Sequence, residues 1–172
     1  MLTLYLLRHA KSSWSNPELQ DFDRPLNQRG KAAAPKMAAY MRAQGLIPGL
    51  VLCSAARRAR QTWDLVAETL EEEVPLKVYR SLYLASPARL LETLRRQPDG
   101  QSPIMMIGHN PGMERLAARL AGPGSDRGAL AEVEAKFPTA ALAEICFDET
   151  DWTRVSPGKG RLLRCVKPKA LA

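Results

Sequence analysis

The 172-residue chain has two histidines, and each follows an apolar run at the point where the run breaks off. Leu2-Thr-Leu-Tyr-Leu-Leu7 ends on Arg8-His9, and Ile104-Met-Met-Ile107 ends on Gly108-His109-Asn110. A third run, Leu50-Val-Leu-Cys53, leads into Ser54-Ala-Ala-Arg57-Arg58-Ala-Arg60-Gln-Thr62. A neutral imidazole is a competent nucleophile toward phosphorus, and an unperturbed imidazole is mostly neutral at pH 7. Phosphoryl transfer asks mainly for positioning and for neutralisation of the equatorial oxygens, roles open to Arg8, Arg58 and His109 around His9. These residue types point to a covalent phosphohistidine mechanism. The arginines after Ser54 sharpen the point, because clustered cations at a helix start oppose the helix dipole. The same arrangement suits a phosphate, since free backbone N–H groups and guanidinium forks then converge on it.

These residues need strands to hold them. Each apolar run is too short for a globular helix and long enough for a buried strand. In open α/β sheets ligands bind at the carboxyl ends of the strands, so a mostly parallel sheet would bring all three ends to one crevice. The spacing of apolar residues predicts helices over Lys31 to Gln44, from Ser54 as N-cap through Leu70, over Pro87 to Arg96, Met113 to Ala121 and Leu130 to Ala135. Pro35 is expected near the first turn of its helix. Trp14 to Gly30 reads as a long loop over the crevice. A short strand begins at Leu76, and Thr139 to Phe147 with Gly160 to Val166 read as a hairpin at the sheet edge.

Length and composition suit one soluble domain spanning 1–172, with 45% hydrophobic and 25% charged residues. No apolar run approaches a membrane span, and the N-terminus has no signal-peptide pattern, so a cytoplasmic location is expected. Cys53, Cys146 and Cys165 are widely spaced and read as reduced, packed thiols. Without Cys-x-x-Cys or paired histidines no metal and no cofactor is expected. The net charge of +7 comes partly from Arg154 to Lys169, which holds six Lys or Arg and no acidic residue. That run reads as a solvated face or tail. It lacks the interleaved aromatics of a nucleic-acid binder, and a nucleic-acid partner is disfavoured.

Leu-Leu-Arg8-His9-Ala-Lys-Ser, Ser54-Ala-Ala-Arg-Arg58-Ala-Arg-Gln-Thr62 and Ile-Gly-His109-Asn resemble the signature elements of the histidine phosphatase superfamily, which includes phosphoglycerate mutases. Asp23-Arg-Pro-Leu26 ahead of Gly30, the short length and the Phe137-Pro-Thr-Ala-Ala stretch make the chain most similar to SixA-like phosphohistidine phosphatases. The resemblance implies an α/β/α sandwich with a mostly parallel central sheet, His9 as nucleophile, and Arg8, Arg58 and His109 as the phosphate pocket. Arg58 lies at the signature spacing, four residues after Ser54, whereas Arg57 does not. Ser15 stands where larger relatives carry an Asn, six residues past the nucleophile, and is a candidate substrate contact. Arg24 is another, with a loop-bracing salt bridge to Asp21 or Asp23 as its alternative. Asn110 is a third, through its backbone N–H, with simple helix capping as its alternative. Larger relatives also bring a Glu general acid from an insertion that is not evident after Leu82-Tyr83. The expected substrate is phosphohistidine on a signalling protein. A small phosphate ester, turned over by a phosphatase or mutase, is the alternative within the class, and a non-catalytic phosphate or nucleic-acid binding module is the alternative outside it.

Overall fold

Strand β1 (Leu2–Arg8) is apolar on both faces and lies inside a six-stranded sheet, between the strands Ile104–Gly108 and Leu142–Phe147. The computed structural model describes residues 1–171 and adds α1 (Gln28–Gln44), β2 (Leu50–Ser54), α2 (Arg57–Leu70), β3 (Leu76–Tyr79) and α3 (Pro87–Arg95). The remaining elements are β4 (Ile104–Gly108), α4 (Gly112–Leu120), α5 (Arg127–Ala135), β5 (Leu142–Phe147) and β6 (Gly160–Val166). β1 to β4 pair in parallel, while β5 runs antiparallel to both β1 and β6. The edge hairpin expected from the sequence is β5 and β6.

Alternation along β1 assigns its side chains to two apolar layers. Leu2, Leu4 and Leu6 join Leu52, Met106, Leu90, Leu94 and Leu116 beneath α3, α4 and α5. Tyr5 and Leu7 join Val51, Met105, Met37, Met41 and Trp63 beneath α1 and α2. Burial on both faces is why these strands read as continuous apolar runs. The sheet is thus sandwiched between helices.

Strand register places the chemistry. Arg8 pairs with Gly108 across β1 and β4, and Cys53 pairs with Ile107 across β2 and β4. The next residues in each chain, His9, Ser54 and His109, therefore emerge along one rim. The His9 backbone N–H donates to the Gly108 carbonyl at 3.0 Å, which extends the pairing one residue past β1.

Several expected boundaries move. Asn27 caps α1 by accepting from the Gly30 backbone N–H at 2.9 Å, so the helix starts at Gln28 and Pro35 sits two turns inside it. The loop before it is shortened by a 3₁₀ turn at Asp21–Asp23. α2 begins at Arg57 behind Ala56, and Ser54 lies ahead of it, its Oγ accepting from the Ala56 N–H at 3.2 Å and from His109 Nε2 at 2.8 Å. α5 starts at Arg127, where the Asp126 carboxylate accepts from the Ala129 N–H at 2.8 Å. The basic C-terminal run is not a tail: much of it is β6, with Arg161 paired to Asp148, Arg164 to Glu144 and Lys167 to Glu132. All three cysteines are free thiols, with Cys53 and Cys146 buried. Among the described residues no helix is long and apolar enough to cross a membrane.

One glycine locks the site loop to the scaffold. A Cβ at Gly30 would overlap the carbonyl oxygen of Lys11, two residues beyond His9. Gly30→Ala is expected to cost about 1–3 kcal/mol through this overpacking, read as a lower urea midpoint. An unchanged midpoint would mean that the Lys11 backbone is free to give way.

Candidate active site

The cavity at this rim, about 440 Å³, is lined by Arg8, His9, Lys11, Arg24, Arg58 and His109, with Asp21 as its one carboxylate. Trp14, Leu84 and Asn110 complete much of its wall. Four cations against one carboxylate make it strongly attractive to anions. Arg8 donates to the Phe137 carbonyl at 3.2 Å, and among the described residues no carboxylate forms an ion pair with it.

Hydrogen bonds assign the state of each imidazole. His9 is buried, and its Nδ1 lies 2.7 Å from the Ala10 carbonyl oxygen, so Nδ1 carries the proton and donates. Its Nε2 is the unprotonated nitrogen and accepts from Arg58 Nε at 3.3 Å through its single in-plane lone pair, on a ring that lines the cavity. His109 is the mirror case. Its Nε2 donates to Ser54 Oγ at 2.8 Å, leaving Nδ1 to accept from Arg58 Nη2 at 3.4 Å. The two rings stand 5.0 Å apart, centroid to centroid. Burial and the neighbouring guanidinium groups push the His9 pKa down from 6.5 to about 3. Burial, His9 and Arg58 push His109 down to about 3 as well.

Arg58 is 3% exposed and joins the parts. Its Nη1 donates to the Asp21 carbonyl at 2.7 Å and its Nη2 to the Asp21 carboxylate at 3.0 Å, besides the two imidazoles. Thr62 fixes the helix that carries it: Thr62 Oγ1 donates to the Arg58 carbonyl at 2.7 Å and accepts from the Ala10 N–H at 2.9 Å. Asp21 also receives Arg24 Nε at 3.0 Å and the Tyr83 hydroxyl. Burial pushes the Asp21 carboxyl up, but bonds from Tyr83, Arg24 and Arg58 outweigh it and hold its pKa at about 2. Burial and Asp21 raise the Tyr83 pKa. An ionised Asp21 and a more basic Tyr83 leave neither a ready general acid.

The structure gathers most of the residues singled out in the sequence and separates one. Arg8, His9, Arg58 and His109 converge, while Arg57 and Arg60 face solvent. Arg24 makes the loop-bracing pair with Asp21 at 2.9 Å and also lines the cavity. Its guanidinium further stacks 3.4 Å from the Trp14 ring centre and donates to Ser12 Oγ at 2.7 Å. Asn110 lines the cavity, and its side chain caps α4 by accepting from the Glu114 N–H at 3.2 Å. Ser15 is corrected: it is exposed, outside the cavity wall, and bonded to Ser13 Oγ at 2.8 Å. The chain between Ser13 and Asn16 turns outward there. Sequence reasoning missed the central part of Asp21, whose only signal was its place three residues before Arg24. It also took Ser54 for a helix cap, whereas Ser54 orients His109.

Fold and cavity together define an α/β protein with an anion-attracting pocket at its strand ends and two histidines in the pocket wall. The chain belongs to the histidine phosphatase superfamily, and it is a SixA-like phosphatase. The model of the histidine phosphatase superfamily (branch 1) matches residues 4–82. An uncharacterized protein of Mycobacterium tuberculosis is 34% identical over 164 residues, which is 95% of this chain and 100% of that protein. An uncharacterized chloroplastic protein of Arabidopsis thaliana is 35% identical over 177 residues, covering 96% and 77%. The crystal structure of SixA from Agrobacterium tumefaciens, a candidate phosphohistidine phosphatase, superposes with a TM-score of 0.80 at 30% identity, covering 97% of this chain and 98% of that one.

The depressed imidazole pKa values predict a titration. With only two histidines, the ring resonances in the free protein should stay in the neutral form from pH 8 to about 5 in an NMR titration; a midpoint near 6.5 for either ring would contradict the buried, cation-flanked site. The unfolded chain takes up those protons near 6.5 and the folded chain only near 3. This contribution to stability is therefore complete above pH 6.5 and is lost as the pH falls toward 3.

Proposed function

We propose that this phosphatase works through a phosphohistidine intermediate on His9 and that its substrate is phosphohistidine on a signalling protein. The observation that carries the reading is the tautomer of His9, with Nδ1–H anchored on the Ala10 carbonyl and the Nε2 lone pair held among guanidinium groups. A nucleophile must be unprotonated, and here burial keeps it so at any physiological pH.

In this mechanism Nε2 attacks phosphorus in line with the leaving group. The Nε2–P bond forms as the substrate's P–N bond breaks, and the phosphorylated His9 ring keeps its Nδ1 proton on Ala10. Arg8 and Arg58 take the equatorial oxygens. An approaching phosphate competes with Asp21 for Arg58, and its charge favours protonation of His109 Nδ1, which then donates to it. Water attacks the phosphorylated ring, giving inorganic phosphate and neutral His9. The leaving imidazole of a phosphohistidine carries its own proton on the second ring nitrogen and departs neutral, so the lack of a ready acid at Asp21 and Tyr83 fits this substrate better than an alkyl ester. The side chains of this pocket supply the charge needed without a metal ion or cofactor. A wide mouth rimmed by exposed Trp14 and Leu84 suits a protein surface. We take residues 1–172 as one histidine phosphatase domain, and its three free thiols fit a reducing cytoplasm.

The test uses purified protein with chelator present, an aryl phosphate, a phosphohistidine peptide and a panel of metabolite phosphates. His9→Ala should lose at least about a thousandfold in kcat and Arg58→Ala about a hundredfold or more. Full activity in His9→Ala, or an acid-labile phosphoenzyme label on another residue, would remove the mechanism. A kcat/KM favouring a metabolite ester over the peptide would replace the substrate but keep the chemistry.

A further inference from the structure

A second depression of about 270 Å³ adjoins the catalytic cavity and shares Lys11 and Thr139 with it. Its wall collects Lys11, Arg29, Lys136, Lys167 and Lys169 from four separate parts of the chain: the segment after β1, the start of α1, the end of α5, and the turn after β6. Glu132 pairs with Lys167 at 2.9 Å. Among the described residues no carboxylate pairs with the other four, which are all exposed. Five cations gathered from distant sequence positions repel one another, a cost that an ordinary solvated face avoids by interspersing acids. Their backbone is firmly held. The Asn27 N–H donates to the Lys11 carbonyl at 3.0 Å, Gly30 packs against the same carbonyl, and Pro138 and Pro168 stiffen the other wall.

We propose that this basin docks the acidic residues that flank the phosphorylated histidine on the protein substrate, so that Asp or Glu side chains lie on it while the phosphoryl group enters the catalytic cavity. The proposal rests on the protein-phosphohistidine reading and extends it to how that protein is chosen. Three observations favour an acidic polypeptide over other anions. A second phosphate would call for buried converging donors like those of the catalytic cavity, whereas Lys11, Arg29, Lys136 and Lys169 are exposed and Lys167 is taken up by Glu132. A single-stranded nucleic acid would call for aromatic platforms, and the wall holds none among the described residues. The shared Lys11 and Thr139 make the two depressions continuous, and an extended chain advances about 3.3 Å per residue, so near neighbours of the phosphorylated residue reach the basin. The basic run that ended the sequence with no evident role thus delivers Lys167 and Lys169 to the substrate side.

The experiment compares two phosphohistidine peptides that differ only in carrying Asp and Glu, or Asn and Gln, beside the phosphorylated residue. The wild type should favour the acidic peptide about tenfold in kcat/KM, with the preference shrinking as salt rises from about 50 to about 500 mM. Arg29→Glu/Lys136→Glu/Lys169→Glu should abolish or invert that preference while hydrolysing the aryl phosphate at the wild-type rate. Equal turnover of the two peptides by the wild type overturns the proposal, as does an equal fall on every substrate in the triple variant. Binding of the unphosphorylated acidic peptide, followed by fluorescence polarisation, is the independent arm. If neither phosphopeptide is hydrolysed but the acidic peptide binds the wild type and not the variant, the docking surface stands and the phosphohistidine reading falls. Stronger retention of an oligonucleotide or of inorganic pyrophosphate than of the acidic peptide reassigns the basin and overturns it.

Discussion

Everything at this site depends on one buried guanidinium. Arg58 touches the Nε2 of His9, the Nδ1 of His109 and both the carbonyl and the carboxylate of Asp21. A charge buried that deeply is tolerated only when it is paired and hydrogen-bonded. Asp21 supplies the pairing. The two imidazoles cannot, because the same cation that they solvate disfavours a second charge beside it. Burial first, and Arg58 after it, keep the His9 ring neutral, with its proton on the Ala10 carbonyl and its Nε2 facing Arg58.

That accommodation draws on parts far apart in the chain. Thr62, one turn along α2, binds the Arg58 carbonyl and the Ala10 N–H with one hydroxyl, tying the helix to the segment that carries His9. Ser54 holds His109 from the end of β2, and Phe137 offers its carbonyl to both Arg8 and Asn110. Each supporting group is a small side chain or a backbone atom with a fixed direction, which is what geometric precision at a reacting centre requires. The arginines at the start of α2 violate the usual preference for anions there. Arg58 resolves the conflict by turning into the cavity toward Asp21, and Arg57 and Arg60 resolve it by facing water.

Charge is arranged outside the cavity by the same logic with a different outcome. At Arg161, Arg164 and Lys167 the basic C-terminal run is neutralised by Asp148, Glu144 and Glu132. Beyond Lys167 the chain turns at Pro168 and brings Lys169 to the same wall as Lys11, Arg29 and Lys136, and among the described residues none of these four forms an ion pair. Part of the net charge therefore gathers in the basin beside the cavity and not along the C-terminal strand.

By itself the sequence determined the strands and the order of the chemistry. Leu2 to Leu7, Leu50 to Cys53 and Ile104 to Ile107 are apolar because both of their faces are covered, and that signal survives without any coordinates. The polar residues that interrupt them, Arg8-His9, Ser54 and Gly108-His109, were legible for the same reason. The choice of Arg58 over Arg57 came from the signature spacing of the resembled family. Three things were decided only by tertiary structure. The loop from Trp14 to Asn27 has no periodicity to read, so the centrality of Asp21 and the outward turn of Ser15 depend on contacts made after folding. Helix starts depend on where the chain turns after folding: Asn27 caps α1 with its side chain, whereas α2 starts behind Ala56 and Ser54 faces His109. The basic basin unites residues 11, 29, 136, 167 and 169, and only the sandwich of helices on a mostly parallel sheet brings such separations into contact. Local pattern reports burial. Convergence of polar groups across the chain is a property of the fold.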